Sequence, residues 1–249
     1  MPFTQDALSR DDFLGGQVQI WQPLKGYRAA TDPVFLAAAC PARPGEAVLE
    51  LGCGAGTASL CLARRVPVRL TGVELQEDYA ELARINAREN GIEMEVVTAD
   101  LARLPAPLLE RNFDQVILNP PYFGAGTASE DDGRDIALRE RTPLAVWIDS
   151  ALKRLKPRGW VTVIHRAEAL PELLAALLSR AGAIEIKPLS PRTGRPANRV
   201  IVRARKGAKA PTQLFNPLIL HQGPRHQGDG KDFNAEVEAV LRDGEPLQF

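Results

Sequence analysis

From about residue 46 onward, short apolar runs alternate with longer helical patterns, and this alternation restricts the possible folds more than any other feature. The runs with strand character are Ala47–Leu51, Val68–Val73, Met94–Thr98, Asp114–Leu118, Trp160–His165, Ala183–Leu189 and Arg199–Arg205. Helical patterns fill most of the intervals, at Thr57–Arg65, Glu77–Asn90, Pro143–Lys156 and Ala169–Ala181. Strand, helix and strand repeated in this order predict an α/β fold with a mainly parallel sheet and helices on both faces.

The last two predicted strands are joined without a helix. Only the turn-rich segment 190–196 separates them, which predicts an antiparallel hairpin at the edge of the sheet. A seven-stranded, mostly parallel sheet that ends in such a hairpin resembles the Rossmann-like class I methyltransferase fold. We therefore expect a core at residues 46–210, preceded by an N-terminal segment at 1–45 and followed by a C-terminal extension at 211–249. The extension contains one short helix candidate, Asn234–Arg242.

A glycine-rich turn follows the first of these strands. Gly52, Cys53, Gly54 and Gly56 lead directly into the helix that begins at Thr57. Glycines at such a turn permit positive φ angles and let a ligand approach the backbone closely. The spacing G-x-G-x-G differs from the G-x-G-x-x-G of dinucleotide-binding loops.

Three acidic residues lie at or near the ends of successive strands. Glu50 precedes the first glycine, where it suits an ammonium group and would repel a pyrophosphate. Glu74 lies where an acid accepts hydrogen bonds from ribose hydroxyls. Asp100 suits an adenine amino group. With Leu75 and Leu101 beside them, these acids predict a binding site for S-adenosylmethionine.

The fourth strand of this series ends in an Asn-Pro-Pro-Tyr motif. The prolines Pro120 and Pro121 remove backbone donors, which leaves the Asn119 side chain and the Pro120 carbonyl as acceptors. Two acceptors that hold the N–H groups of a planar amine or amide aim its lone pair at a methyl donor. Tyr122, followed by Phe123, is predicted to stack on the substrate.

This motif resembles the signature shared by adenine-N6, some guanine-N2 and glutamine-N5 methyltransferases. Together with Trp21–Asp32 and the stretch from Pro191 to Val202, it makes residues 10–225 similar to the bacterial tRNA1(Val) (adenine-37-N6)-methyltransferase family. The resemblance implies that the N-terminal segment closes over the cofactor. It also implies cofactor contacts for Arg28, Ala30 and Thr31, with Arg28 beside the methionine carboxylate.

Charge is unevenly distributed although the net charge is zero. Between Ile186 and Gly228 the chain has nine Lys and Arg residues and no Asp or Glu. Such a basic stretch favours a polyanionic partner, here tRNA, with Arg192, Arg195 and Arg199 as predicted RNA contacts.

Two alternatives to methylation of tRNA adenine remain open. One is methylation of a protein glutamine at N5, although that family carries a larger N-terminal domain. The other is a non-catalytic RNA-binding protein that retains the fold, although substitution of the turn glycines or of Asn119 would then be expected, and both are intact. DNA adenine methylation fits less well, because the length leaves no room for a target-recognition domain.

The remaining features concern the cellular setting. The apolar runs are shorter than the roughly 20 residues of a membrane span, and the N-terminus lacks the pattern of a secretory signal. Three cysteines without C-x-x-C spacing predict neither disulfides nor a metal site and favour the cytoplasm. The sequence does not predict an oligomeric state.

Overall fold

The computed structural model describes residues 3–122, 142–223 and 232–249. A central sheet contains β3 (Ala47–Leu51), β4 (Arg69–Glu74), β5 (Met94–Thr98), β6 (Phe113–Leu118), β7 (Leu155–Arg166), β8 (Ala181–Ser190) and β9 (Arg199–Lys206). Their order across the sheet is β8-β9-β7-β6-β3-β4-β5. Within this set β9 alone runs antiparallel to its neighbours, so the predicted parallel sheet with an edge hairpin is confirmed.

Two very short strands extend this sheet beyond the predicted seven. β10 (Gln213–Leu214) and β11 (Leu218–Ile219) both pair with β8 in parallel. The segment after β9 therefore lies along the outer side of β8 and covers that edge. Covering an edge in this way removes unpaired backbone groups that would otherwise template association.

Helices lie on both faces of the sheet, as predicted. They are α1 (Asp32–Ala39), α2 (Thr57–Arg65), α3 (Glu77–Glu89), α4 (Ala106–Leu109), α5 (Leu144–Arg154), α6 (Leu170–Leu177) and α7 (Ala235–Glu238). Alternate residues of β6 divide the core: Ile117 packs with α1, α2 and α3, whereas Val116 and Leu118 pack with α4, α5 and α6. The period of two between the faces is the geometry of a strand buried on both sides.

The N-terminal segment has more structure than the sequence predicted. The expectation that residues 1–45 precede the first strand is wrong, because β1 (Leu8–Phe13) and β2 (Val18–Pro23) form an antiparallel hairpin and α1 follows it. This hairpin forms a separate two-stranded sheet beside α3. None of the described helices combines the length and the apolar character that crossing a membrane requires.

Candidate active site

A cleft opens at the carboxyl ends of β3, β4, β5 and β6, which is where parallel α/β sheets carry their ligands. Strand ends and the glycine turn form one wall, while α5 and the N-terminal segment form the others. The lining residues that the sequence predicted are Glu50, Gly52, Cys53, Gly54, Glu74, Leu75, Asp100, Leu101, Asn119 and Pro121. Those that it missed include Gln22, Tyr27, Ala29, Thr57 and Trp147.

The glycine turn needs glycine for two reasons. Gly52, Gly54 and Gly56 all have positive φ, at 69°, 54° and 87°, which side chains rarely tolerate. At Gly52 a Cβ atom would also lie 2.6 Å from the indole of Trp147 on α5. The turn is thus packed against the opposite face of the cleft, and Gly56 caps the start of α2.

Glu50 is buried in the cleft wall with 3% of its surface exposed. Its Oε2 accepts hydrogen bonds from the backbone N–H of Ser59, at 3.0 Å, and from the Ser59 hydroxyl, at 2.5 Å. Burial raises the pKa of Glu50 to about 8; the bonds from Ser59 oppose this shift, and the nearby Glu74 carboxylate adds to it. A cation bound in the cleft would favour the ionised carboxylate.

Glu74 and Asp100 both organise backbone at the strand ends. Glu74, 4% exposed, accepts hydrogen bonds from the N–H groups of Gly54, at 2.8 Å, and Gln76, at 3.0 Å. Asp100 accepts one from Ala102, at 2.8 Å. Glu74 therefore ties the glycine turn to the end of β4 while its carboxylate lines the cleft.

Asn119 follows β6 and faces the cleft together with Pro121. Its Nδ2 lies 3.4 Å from the Tyr27 hydroxyl, and its Oδ1 lies 3.4 Å from the Tyr122 hydroxyl. Both distances are long for hydrogen bonds, so the amide is oriented but only weakly engaged. Pro120 is buried behind the cleft wall and does not line it.

Tyr122 is held on several sides. Its hydroxyl donates a short hydrogen bond to Asp32 Oδ2, and its ring makes an edge contact with His165. The guanidinium carbons of Arg199 and Arg166 lie 4.6 and 5.3 Å from the ring centroid. Burial, followed by the Asp32 carboxylate, raises the pKa of Tyr122 above its usual range, so the hydroxyl stays protonated.

The N-terminal segment supplies one wall of the cleft. Gln22 accepts a hydrogen bond from the N–H of Ala29 at 2.6 Å and donates one to its carbonyl at 3.2 Å. The Tyr79 hydroxyl on α3 donates to the Tyr27 carbonyl at 3.1 Å. These bonds fix Tyr27 and Ala29 against the cleft.

The residues implied by the resemblance lie next to this wall but do not line it. Arg28 donates to Ser9 Oγ and to the Pro23 carbonyl, both at 2.8 Å, and forms an ion pair with Asp11. Ala30 is exposed, and Thr31 lies at the start of α1. In this structure Arg28 stabilises the β1–β2 hairpin. Phe123 lies outside the described residues.

The three arginines predicted to contact RNA have different surroundings. Arg192 is 11% exposed, donates to the carbonyls of Gln222 and Gly223, and forms an ion pair with Asp232. Arg199 forms an ion pair with Asp32 at 2.9 Å. Arg195 is exposed. Because β9 runs antiparallel, Arg199 lies at the carboxyl end of β7, whereas Lys206 lies towards the opposite edge.

The cleft also contains buried polar atoms that suit a polar ligand. Within the described residues, Thr57 Oγ1 and Trp147 Nε1 are buried without a hydrogen-bond partner, and both residues line the cleft. Such atoms are costly to leave unpaired and are normally satisfied by protein, water or ligand. With three acids for positive groups, Glu50, Glu74 and Asp100, and these two unpaired donors for negative ones, the cleft suits a ligand that carries both charges.

Comparison with known proteins decides the family. A methyltransferase domain family matches residues 48–141, which contain the glycine turn and the Asn-Pro-Pro-Tyr motif. The tRNA1(Val) (adenine(37)-N6)-methyltransferase of Erwinia tasmaniensis is 32% identical over 70% of this chain and 74% of its own. The enzyme of that name from Aeromonas hydrophila is 30% identical over 78% of this chain and 82% of its own. This chain belongs to the tRNA1(Val) (adenine(37)-N6)-methyltransferase family.

Members of this family are S-adenosylmethionine-dependent methyltransferases, and this chain is one of them. A solved structure from Agrobacterium tumefaciens, described as a predicted O-methyltransferase, superposes with a TM-score of 0.67 and 26% identity over 88% of this chain and 98% of its own. The 16S rRNA N2 G1207 methyltransferase of T. thermophilus, in complex with AdoMet and guanosine, shares the fold with a TM-score of 0.57 and 19% identity, over 80% of this chain and 50% of its own.

Proposed function

We propose that this methyltransferase modifies the N6 amino group of an adenine in a tRNA anticodon loop. The observation that carries the proposal is the position of Asn119, which faces the same cleft as the glycine turn, Glu50 and Glu74. The acceptor for a substrate amine and the cofactor-binding groups thus share one pocket. The relatives from Erwinia tasmaniensis and Aeromonas hydrophila are named as methyltransferases of adenine N6 at position 37 of tRNA1(Val), which supports this proposal.

Asn119 orients the nucleophile in this proposal. Its Oδ1, which faces the cleft, accepts one N–H of the adenine amino group and favours a pyramidal nitrogen with its lone pair exposed. The Pro120 carbonyl, predicted as the second acceptor, belongs to a buried residue that does not line the cleft. The Tyr122 hydroxyl lies 3.4 Å from Asn119 Oδ1 and donates its proton to Asp32, which leaves the Asn119 oxygen able to accept from a substrate donor. Positioning of the nitrogen supplies most of the rate gain, and no strong base is needed before transfer.

The cofactor, when bound, supplies a methyl group on a sulfonium. Glu74 is assigned to its ribose, Asp100 and Leu101 to its adenine, and Glu50 to its ammonium, directly or through water. Leu75, 39% exposed at the cleft, provides an apolar surface for the adenine ring. Thr57 Oγ1 and Trp147 Nε1 offer hydroxyl and N–H groups to its carboxylate or to an ordered water.

The substrate is tested by incubating the protein with labelled cofactor and, separately, total tRNA and total protein. We expect label in N6-methyladenosine, identified by mass spectrometry of the digested tRNA. Label found only on glutamine in the protein fraction would identify a glutamine-N5 methyltransferase, a class that shares the Asn-Pro-Pro-Tyr motif, and would overturn the proposal. Absence of cofactor binding by calorimetry would favour a non-catalytic RNA-binding protein.

The role of Asn119 predicts a separation of binding and turnover. Asn119→Ala removes one acceptor, so kcat should fall by about 100-fold or more, by analogy with loss of one oriented donor at other active sites. The Kd for S-adenosylmethionine should change little, which calorimetry measures. Tyr27→Phe is a matched control, because it removes the hydroxyl 3.4 Å from Asn119 Nδ2 and leaves the acceptor oxygen in place. Full activity of Asn119→Ala would contradict the acceptor role.

A further inference from the structure

Two arginines stand side by side at the substrate edge of the sheet. Arg166 ends β7, Arg199 begins β9, and the two are direct partners across the antiparallel pair. Both guanidinium carbons lie within 5.3 Å of the Tyr122 ring centroid, a distance at which a cation is attracted to an aromatic ring. The Tyr122 ring therefore holds two positive charges close together.

Among the described residues at this place, the negative charge is smaller than the positive charge. Asp32 forms an ion pair with Arg199 through Nε, and it also accepts the hydrogen bond from Tyr122. Within the part of the chain that the structure describes, Arg166 has neither an ion pair with a carboxylate nor a side-chain hydrogen bond. The neighbouring His165 adds no further positive charge, because burial lowers the pKa of its imidazole and both arginines oppose its protonation.

Like charges placed directly opposite each other on adjacent strands disfavour the folded state. Arg166 adds to this cost and forms no ion pair within the described residues that offsets it. A bound anion would neutralise the excess charge and use the donors of Arg166, since a guanidinium offers a planar fork that matches phosphate oxygens. Repulsion between the guanidinium groups of Arg166 and Arg199 is therefore what we expect of an anion-binding site in the absence of its anion.

The geometry points to a phosphate-binding site made by Arg166 together with Arg199, and we propose that it holds a backbone phosphate next to the methylated nucleotide. Tyr122 places the site one side chain away from Asn119, because its hydroxyl reaches the Asn119 amide while its ring carries the arginines. A nucleotide joins its base to a phosphate through the sugar, so one ligand can occupy both places. A glutamine side chain carries no such anion.

This inference rests on the proposed RNA substrate and refines which cations contact it. Arg192, which the sequence favoured, is neutralised by Asp232, whereas Arg166 was not among the predicted contacts. Arg166 also distinguishes the two candidate substrate classes. A phosphate of tRNA would pair with its guanidinium, whereas the uncharged side chain of a peptide glutamine would not.

The test is the salt dependence of tRNA binding by Arg166→Gln, measured by fluorescence anisotropy with an unmodified tRNA transcript. Each phosphate contact contributes roughly 0.7 to 0.9 to the slope of log K against log salt concentration, so the variant should lose about that amount and bind about fivefold more weakly at 0.15 M salt. Arg166→Lys should retain most of the slope. Lys209→Gln is the matched control, since Lys209 is an exposed cation of the same basic stretch beyond the far end of β9.

Thermal unfolding separates this role from a structural one. Because Arg166→Gln removes a like-charge contact, its Tm should equal or exceed that of the wild-type protein, and cofactor affinity should be unchanged. If the wild-type protein binds tRNA and Arg166→Gln shows the same salt slope and the same Kd, the phosphate site is overturned and the proposed function is not. If the wild-type protein itself neither binds nor methylates tRNA, the proposed function fails and the phosphate site fails with it.

Discussion

Glu50 shows how a single residue links ligand charge to protonation. Its carboxyl is buried beside Glu74 and bonded to Ser59, and its pKa lies near 8 instead of its usual 4.5. Since the folded protein keeps a proton that the unfolded chain releases, this group stabilises the fold at low pH. That contribution declines as pH rises from about 4.5 through about 8.

The same shift predicts that cofactor binding releases a proton. A positively charged ligand favours ionised Glu50, so affinity for S-adenosylmethionine should rise with pH up to about 8 and then level off. Calorimetric titrations in buffers of different ionisation enthalpy measure the protons released. Glu50→Gln should weaken binding and abolish the release. Equal proton release in that variant would show that another group titrates.

For single residues, the sequence predicts which side chains line the cleft better than it predicts their hydrogen-bond partners. The strand-end acids Glu50, Glu74 and Asp100 lie in the cleft as expected, because strand ends of a parallel sheet converge. Their hydrogen bonds to Ser59, Gly54, Gln76 and Ala102 depend on turn geometry that spacing does not specify. Trp147 was missed because its contact with Gly52 joins residues far apart in the chain.

Among the elements, the β1–β2 hairpin is attached to the core in an unusual way. Asn86 on α3 accepts a hydrogen bond from the N–H of Trp21 at 2.8 Å and donates to its carbonyl at 3.1 Å. One turn later Asn90 does the same for Gln19, at 2.9 and 2.7 Å. One amide in the last turns of α3 and one at its C-cap thus replace a neighbouring strand along the free edge of β2.

Asn86 has an additional contact that Asn90 lacks, and this difference predicts different phenotypes. Asn86 Nδ2 also donates to the carbonyl of Ala55 in the glycine turn, at 2.9 Å. Asn86→Ala should lower the free energy of unfolding by about 2 kcal/mol, because it leaves buried backbone groups unpaired, and should raise the cofactor Kd about tenfold. Asn90→Ala is the control and should destabilise without much effect on Kd. Equal Kd values in both variants would mean that the Ala55 bond does not matter for binding.

Element prediction failed where local patterns carry little information. The helix α1 reads Asp-Pro-Val-Phe-Leu-Ala-Ala-Ala and is buried from Pro33 onward, so it lacks the polar face that reveals an amphipathic helix. The hairpin strands were missed because β2 finds its second partner in asparagine side chains rather than in another strand. By contrast, β3, β5 and α2 match their predicted bounds, since flanking glycines and polar residues delimit them.

For the molecule as a whole, the C-terminal extension is fastened to the core through Arg192. Its ion pair with Asp232 is largely buried, and Asp232 also bonds to His221 at 2.8 Å. Leu247 reaches across to donate its N–H to the Ala38 carbonyl. The extension therefore adds to the stability of the sheet edge at β8.

This arrangement predicts that Arg192 acts in stability rather than in RNA affinity. Arg192→Gln removes the guanidinium partner of the largely buried Asp232 carboxylate and should lower the free energy of unfolding by about 3 kcal/mol, measured by urea denaturation. Arg195→Gln, on the exposed turn between β8 and β9, should change it by less than about 0.5 kcal/mol. If Arg192→Gln instead reduces the salt slope of tRNA binding while stability is retained, Arg192 contacts RNA as the sequence suggested.

The reversed direction of β9 has a consequence for how this protein can diverge. Its eight residues span about 25 Å at roughly 3.3 Å per residue. Cations only a few residues apart in the sequence therefore lie at opposite ends of this strand. Arg199 belongs to the catalytic end, whereas Arg205, Lys206 and Lys209 belong to the other. Redesign at the exposed Lys209 can therefore adjust isoelectric point and solubility, whereas exchange of Arg199 is expected to alter substrate capture.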